Sequence, residues 1–200
     1  MSEPANLEAA CQSFVAHMTT AFGATLRNKE ESDEMRAIGL GLDLARVLGA
    51  STPSRDHFMG HISTTLGRAI YVPPEVRANA RSMLVVLTHE CQHVAQLQQE
   101  TIQFPWLYLR EPEARTRYEV DAYAAGLAVG RWLTGRMATI DDIHGRLMRS
   151  YHLRPEDGDL ARDLLRSHIA SLESDVAMAR AGREAIAFLD ANFPHLKKHG

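Results

Sequence analysis

Apolar residues recur at helical spacing along most of this chain, and at strand spacing in one short stretch. Residues 5–22 place Phe14, Val15, Met18 and Phe22 on one broad face. Residues 33–48 predict a second helix with Met35, Ile38, Leu42, Ala45 and Leu48 as its stripe. Gly39 and Gly41 weaken it, and Gly49 is a candidate C-cap. Ser51-Thr52-Pro53-Ser54 reads as a loop. From His57 to Val72 the pattern changes. Ile62, Thr64 and Thr65, then Ala69, Ile70, Tyr71 and Val72, favour strands punctuated by Gly67 and stopped by Pro73-Pro74. A short hairpin or two edge strands is expected there. The strongest helix spans 80–99, with Met83, Leu84, Val86, Leu87, Val94 and Leu97 as its apolar surface and Gln96, Gln98 and Gln99 as a solvated end. A less regular segment, Thr101 to Arg110, follows. Pro112 suits a helix N1 position, and a long helix runs from it to about Leu133. Thr139 caps another helix, with Asp141 and Asp142 in its first turn. Pro155 and Asp157-Gly158 break the chain before two closing helices near 159–172 and 175–191.

The fold class expected is α+β and mostly helical, with a small sheet or hairpin before the main helix and a helical C-terminal part. The 200 residues fit a single domain, 1–200. Within it, 1–50 supply N-terminal helices, 57–135 the strand segment and two long helices, and 139–200 the closing helices. At 45% hydrophobic and 24% charged, the chain can build a core, which argues against wholesale disorder. A net charge of -3 excludes the basic footprint of a nucleic-acid binder. The stretch Ala122–Leu133 is nearly uncharged but too short for a membrane span and interrupted by Arg131, so a buried helix is expected. The N-terminus lacks the basic and apolar regions of a secretory signal. Two cysteines, Cys11 and Cys91, make no disulfide framework. A cytoplasmic, reducing setting is expected, with no nucleic-acid or membrane partner.

The candidate chemistry lies in Thr88-His89-Glu90-Cys91-Gln92-His93-Val94. Histidines at i and i+4 sit about 40° apart around a helix axis, so both imidazoles can bind one Zn²⁺. The intervening glutamate can reach a zinc-bound water without being a ligand, and can act as its general base. A histidine pair on a helix is often merely packed or solvated. Three features separate this one: its strong amphipathic helix, the β-type segment just before it, and the carboxylates downstream. Glu113, Glu119 and Asp121 all lie on the next long helix.

Glu119-Val120-Asp121-Ala122, following His-Glu-x-x-His at this distance, resembles the gluzincins, zinc peptidases whose third ligand is a glutamate on a later helix. The likeness is greatest to compact members, the minigluzincins and the IrrE/ImmA-type peptidases, and covers about residues 68–126. It implies a zincin-like domain, His89, His93 and Glu119 as metal ligands, Glu90 as catalytic base, and a protein or peptide substrate. Where thermolysin-like enzymes carry an aspartate that orients a zinc histidine, this chain has Tyr123, with Asp121 as an alternative for that role. Helix geometry agrees with Glu119. It shares a face with Ala122, Tyr123 and Gly126, while Asp121 points toward Arg117 and Glu113 sits at the helix start. His144, Tyr151 and His152 are candidate donors to a reacting carbonyl. Arg115 and Arg117 are candidates for local ion pairs or a substrate carboxylate. The strand ending at Ala69–Val72 could pair with an extended substrate. The alternative function is a non-catalytic, zinc-containing regulatory or protein-interaction domain.

Overall fold

The computed structural model describes residues 3–48, 52–100, 103–151, 155–173 and 179–198. Gly49, Ser51 and His152 lie outside them. The elements in chain order are α1 (Glu3–Phe22), β1 (Thr25–Asn28), a 3-10 turn (Lys29–Glu31), α2 (Asp33–Val47), α3 (Arg55–His61), β2 (Thr64–Leu66) and β3 (Ala69–Val72). These are followed by α4 (Pro74–Arg77), α5 (Ala80–Glu100), α6 (Gln103–Arg110), α7 (Pro112–Thr134), α8 (Ile140–Tyr151), α9 (Pro155–Glu173) and α10 (Arg180–Asn192). The architecture is α+β and mostly helical, as expected. No helix among the described residues is long and apolar enough to cross a membrane.

The sheet is larger than a hairpin. Its order is β1-β3-β2, with β1 parallel and β2 antiparallel to β3. Gly67-Arg68 turns the β2–β3 hairpin, with Gly67 at φ +62°. β3 is an unbroken apolar run because both of its faces are covered. Ile70 and Val72 enter the main core with Phe14, Leu84 and Leu87, while Tyr71 packs with Met35 and Phe58. The central position of β3 leaves it no free edge, so β2 is the strand available to an extended ligand on this side of the sheet.

Several local expectations are corrected. Residues 55–61 form α3, capped by Ser54, whose hydroxyl accepts from the His57 amide at 3.3 Å. The inward positions of α2 are Met35 and Gly39, with Leu42 half-buried, because α3 packs there; Ile38 and Leu48 face outward. Residues 103–110 are helical, and Pro155 opens a helix instead of breaking one, with Asp157 and Gly158 buried in its first turn. Thr139 does cap α8, accepting from the Asp142 amide at 3.2 Å.

The main core joins α1, α5, α7, α10 and the inner face of the sheet. α7 packs on α5 closely enough that a Cβ on Gly126 would sit 3.2 Å from the Val85 carbonyl oxygen. A second cluster, Val120, Ile143, Leu147, Ala161 and Leu165, seats α8 and α9 on the opposite side of α7. α7 is thus held by α5 and α10 in the main core and by α8 and α9 in the second cluster, and the candidate site lies between α5 and α7.

Candidate metal centre

His89, Glu90 and His93 project from the buried half of α5, and Glu119 from the facing side of α7. The Nε2 atoms of His89 and His93 are 3.2 Å apart. Glu119 Oε1 is 3.4 Å from His93 Nε2, and its Oε2 is 3.6 Å from His89 Nε2. One donor atom from each of the three residues falls within 4.8 Å of the others, the spacing of ligands around a single ion. Among the described residues this is the only such His/Cys/Asp/Glu group. Glu119 Oε2 is buried without a hydrogen-bond partner, a costly condition that a cation between the three residues would relieve. The donor set therefore fits a divalent transition metal.

Electrostatics tie the three residues together. Burial opposes ionisation of Glu119, but His93, His89 and the Tyr108 hydroxyl prevail and hold its carboxyl down at about 2. Burial likewise opposes the charged form of His93, but Glu119 prevails and lifts it to about 9. Burial and the neighbouring His93 draw His89 down to about 4. His93 and Glu119 thus favour each other's charged forms, while His89 is drawn toward its neutral form.

Supporting contacts surround these residues. Gln96 Oε1 accepts from His93 Nδ1 at 2.9 Å, which directs Nε2 toward Glu119. Gln96 Nε2 donates to the Tyr118 carbonyl at 3.0 Å, linking α5 to α7. Gln96 is therefore buried, not solvated; Gln98 is partly buried and donates to the Phe22 carbonyl at 2.7 Å. Gln92 Oε1 accepts from the Ala181 amide at 3.0 Å, at the start of α10. The Tyr108 hydroxyl donates to Glu119 Oε1. Burial and Glu119 raise the Tyr108 pKa well above 10, so it remains a protonated donor. Tyr123 sets its ring edge-on to His89, with centroids 4.9 Å apart.

Other candidates lie elsewhere. Asp121 turns away to His168 Nε2 at 2.8 Å, and Arg117 pairs with Glu113 at 2.8 Å. The Asp121–Arg117 pairing is thus not formed, and Asp121 orients neither histidine. His144 Nε2 bonds the Gly158 carbonyl at 3.0 Å, which ties α8 to α9 instead of reaching the metal residues. The side chain of Tyr151 is outside the described set. Among the described residues, Tyr108 brings a phenol hydroxyl against Glu119. Its signal in the sequence was the i, i+3, i+4 spacing of Phe104, Leu107 and Tyr108.

Glu90 is 5% exposed and accepts from the Thr65 hydroxyl at 2.7 Å through Oε2. Burial raises its pKa, against the pull of His93 and Thr65. Two cavities meet at Glu90 beneath the 62–66 segment. One, about 340 Å³, reaches His93, Glu119, Phe104 and Tyr108. The other, about 350 Å³, reaches His89, Val85, Tyr123 and Arg146. Ile62, Ser63 and Glu90 line both, and the buried Ser63 hydroxyl has no partner. Comparison with protein-family models, curated proteins and solved structures finds no match, so the functional reading rests on this geometry and the motif.

Proposed function

We propose that this chain is a zinc-dependent peptidase of gluzincin type, with His89, His93 and Glu119 as metal ligands and Glu90 as general base. The observation that carries the proposal is the convergence of three donor atoms within 4.8 Å, one of them the orphaned Glu119 Oε2, beside a buried glutamate in an open cleft. Zn²⁺ held there would supply Lewis acidity toward a peptide carbonyl and a water molecule. Thr65 occupies Glu90 Oε2, leaving Oε1 to take a proton from the attacking water and pass it to the leaving amine. Burial raises the Glu90 pKa, which favours its keeping a proton between taking it and returning it. Tyr108 lines the same cavity, and its single O–H, now given to Glu119, would have to turn to the carbonyl oxygen as charge builds on it. An extended protein or peptide segment would add to the free edge of β2 and run through both cavities. The free cysteines are in keeping with work in a reducing, cytoplasmic setting.

Metal analysis of the wild type and of His89→Ala, His93→Ala and Glu119→Ala tests the site. About one zinc per chain is expected in the wild type, with affinity lowered more than about 100-fold in each variant. Equal zinc in all four would remove the centre. Glu90→Gln should keep its zinc and lose about 100-fold or more of peptide hydrolysis, since an amide cannot take the proton. Unchanged cleavage would remove Glu90 as the base.

A further inference from the structure

Among the described residues, Lys29 is the one buried lysine or arginine, at 0% exposure. It follows β1 in the 3-10 turn, and its side-chain nitrogen lies against the 62–64 segment, within the field of Glu90. Nζ donates to the Ile62 carbonyl and, at 2.8 Å, to the Thr64 hydroxyl. It also lies 3.4 Å from the centre of the Phe58 ring. Its three donors are thus directed to two oxygens and a π face, with no carboxylate in the set. Burying a cation without an ion-pair partner is unfavourable, and an apolar side chain would fill the same space at lower cost. What the lysine adds is a hold on the 62–64 segment.

That segment needs one. β2 is three residues long and is hydrogen-bonded to a neighbour on one side only. Short edge strands are weakly held by pairing alone. Its middle residue, Thr65, makes the hydrogen bond to Glu90. A slip of β2 would withdraw that hydroxyl and reshape both cavities, which share Ile62 and Ser63.

We propose that Lys29 is a positioning residue: by clamping Ile62 and Thr64 it fixes β2 in place, so that Thr65 holds Glu90 and the strand edge stays set for an extended peptide. Its catalytic consequence rests on the peptidase reading; the clamp itself does not. The fields of Lys29 and Glu90 also act on each other across the strand. Burial lowers the Lys29 pKa to about 7, and Glu90 opposes that shift.

Two variants test the clamp in the zinc-loaded protein. Lys29→Met keeps the aliphatic length and removes the donors. Thr64→Val keeps Lys29 and removes one acceptor. Amide hydrogen exchange should accelerate about tenfold or more at 62–66 in both, with α5 and α7 unchanged and zinc still near one per chain. Wild-type exchange at 62–66, or acceleration spread evenly over the chain, overturns the proposal. If Lys29→Met does not fold, Thr64→Val decides by the same criterion.

A kinetic cycle supplies the second readout. Lys29→Met should lower kcat about tenfold in the wild type and less than about twofold in a Thr65→Val background, because both act through the same contact to Glu90. Equal factors in the two backgrounds would make Lys29 a general core residue and overturn the positioning role. Should the wild type cleave no peptide, the peptidase reading falls, and hydrogen exchange alone judges the clamp.

Discussion

Lys29 offers a prediction that needs no substrate. Burial brings its pKa to about 7 in the folded chain, against 10.5 when exposed. Between these values the unfolded state binds more protons, so this group makes stability rise with pH. From the two pKa values, its protonation equilibrium disfavours folding by about 4 kcal/mol at pH 7 and about 1.4 kcal/mol at pH 9.5. The difference, about 3 kcal/mol, is a large fraction of a typical domain's stability. Lys29→Met removes it. The variant also leaves the Ile62 carbonyl without its donor, a cost of about 1–3 kcal/mol that changes little with pH. The stability of Lys29→Met relative to wild type should therefore fall by about 3 kcal/mol between pH 7 and pH 9.5. Urea unfolding of both proteins at the two pH values measures this, and other titrating groups largely cancel in the comparison. A relative stability constant within about 1 kcal/mol across that interval would refute the reasoning, and with it the claim that the ammonium pays a desolvation cost.

Three further outcomes follow from the site's surroundings. Gln96→Leu should weaken zinc binding about 10–100-fold by freeing the His93 ring, and competition with a chromophoric chelator measures it; unchanged affinity would show that Gln96 does not set the ring. Tyr108→Phe should keep zinc and lower kcat about 10-fold or more, and a wild-type kcat would exclude the phenol as a donor to the reacting carbonyl. Gly126→Ala should cost about 1–3 kcal/mol in chemical denaturation, because the new methyl meets the Val85 carbonyl and a backbone cannot yield as a side chain can; wild-type stability would mean that the α5–α7 contact is looser than described.

The long helices were legible because their apolar spacing is sustained over several turns, and Pro112 and Thr139 marked two of the starts. The two candidate histidines were legible because i, i+4 spacing on a helix is a geometric statement in itself, and Glu119 because of the family resemblance. β1 was not. Thr25-Leu26-Arg27-Asn28 has a single apolar residue, and its parallel partner β3 lies far along the chain, so no local pattern announces the pairing. That omission made β3 look like an edge and shifted the expected substrate strand from β2. α3 is short, and its signal, Ser54 before Arg55, was overridden by the strand-forming residues that follow. Gln96 reads as a surface residue by type. Its burial depends on Tyr118, on a different helix, which presents a carbonyl to it. Lys29 was unreadable for the same reason: the oxygens that hold it belong to residues 62 and 64.

The geometry also bears on whether zinc here would be structural or hydrolytic. A structural site is closed, usually by four protein ligands. Among the described residues the cluster offers three, and Cys91, next to Glu90, is buried in the main core with Leu87 and Val94 instead of joining them. Beside these three residues lies the cleft that His93, Glu119 and Glu90 line together, which would leave room for a water or substrate atom. A buried carboxylate next to a metal also has a cost. It must be kept in place by a hydrogen bond, here from Thr65, and it contributes nothing to coordination. A regulatory domain that used zinc only to fold would gain from an apolar residue at position 90 and a fourth ligand. A hydrolase needs the opposite at both positions. The three-residue donor set beside a cleft and the held glutamate therefore support the proposed hydrolytic reading over a structural ion. They also make Glu90→Gln the substitution that separates the two: a structural site should lose nothing, and a peptidase should lose turnover while keeping its metal.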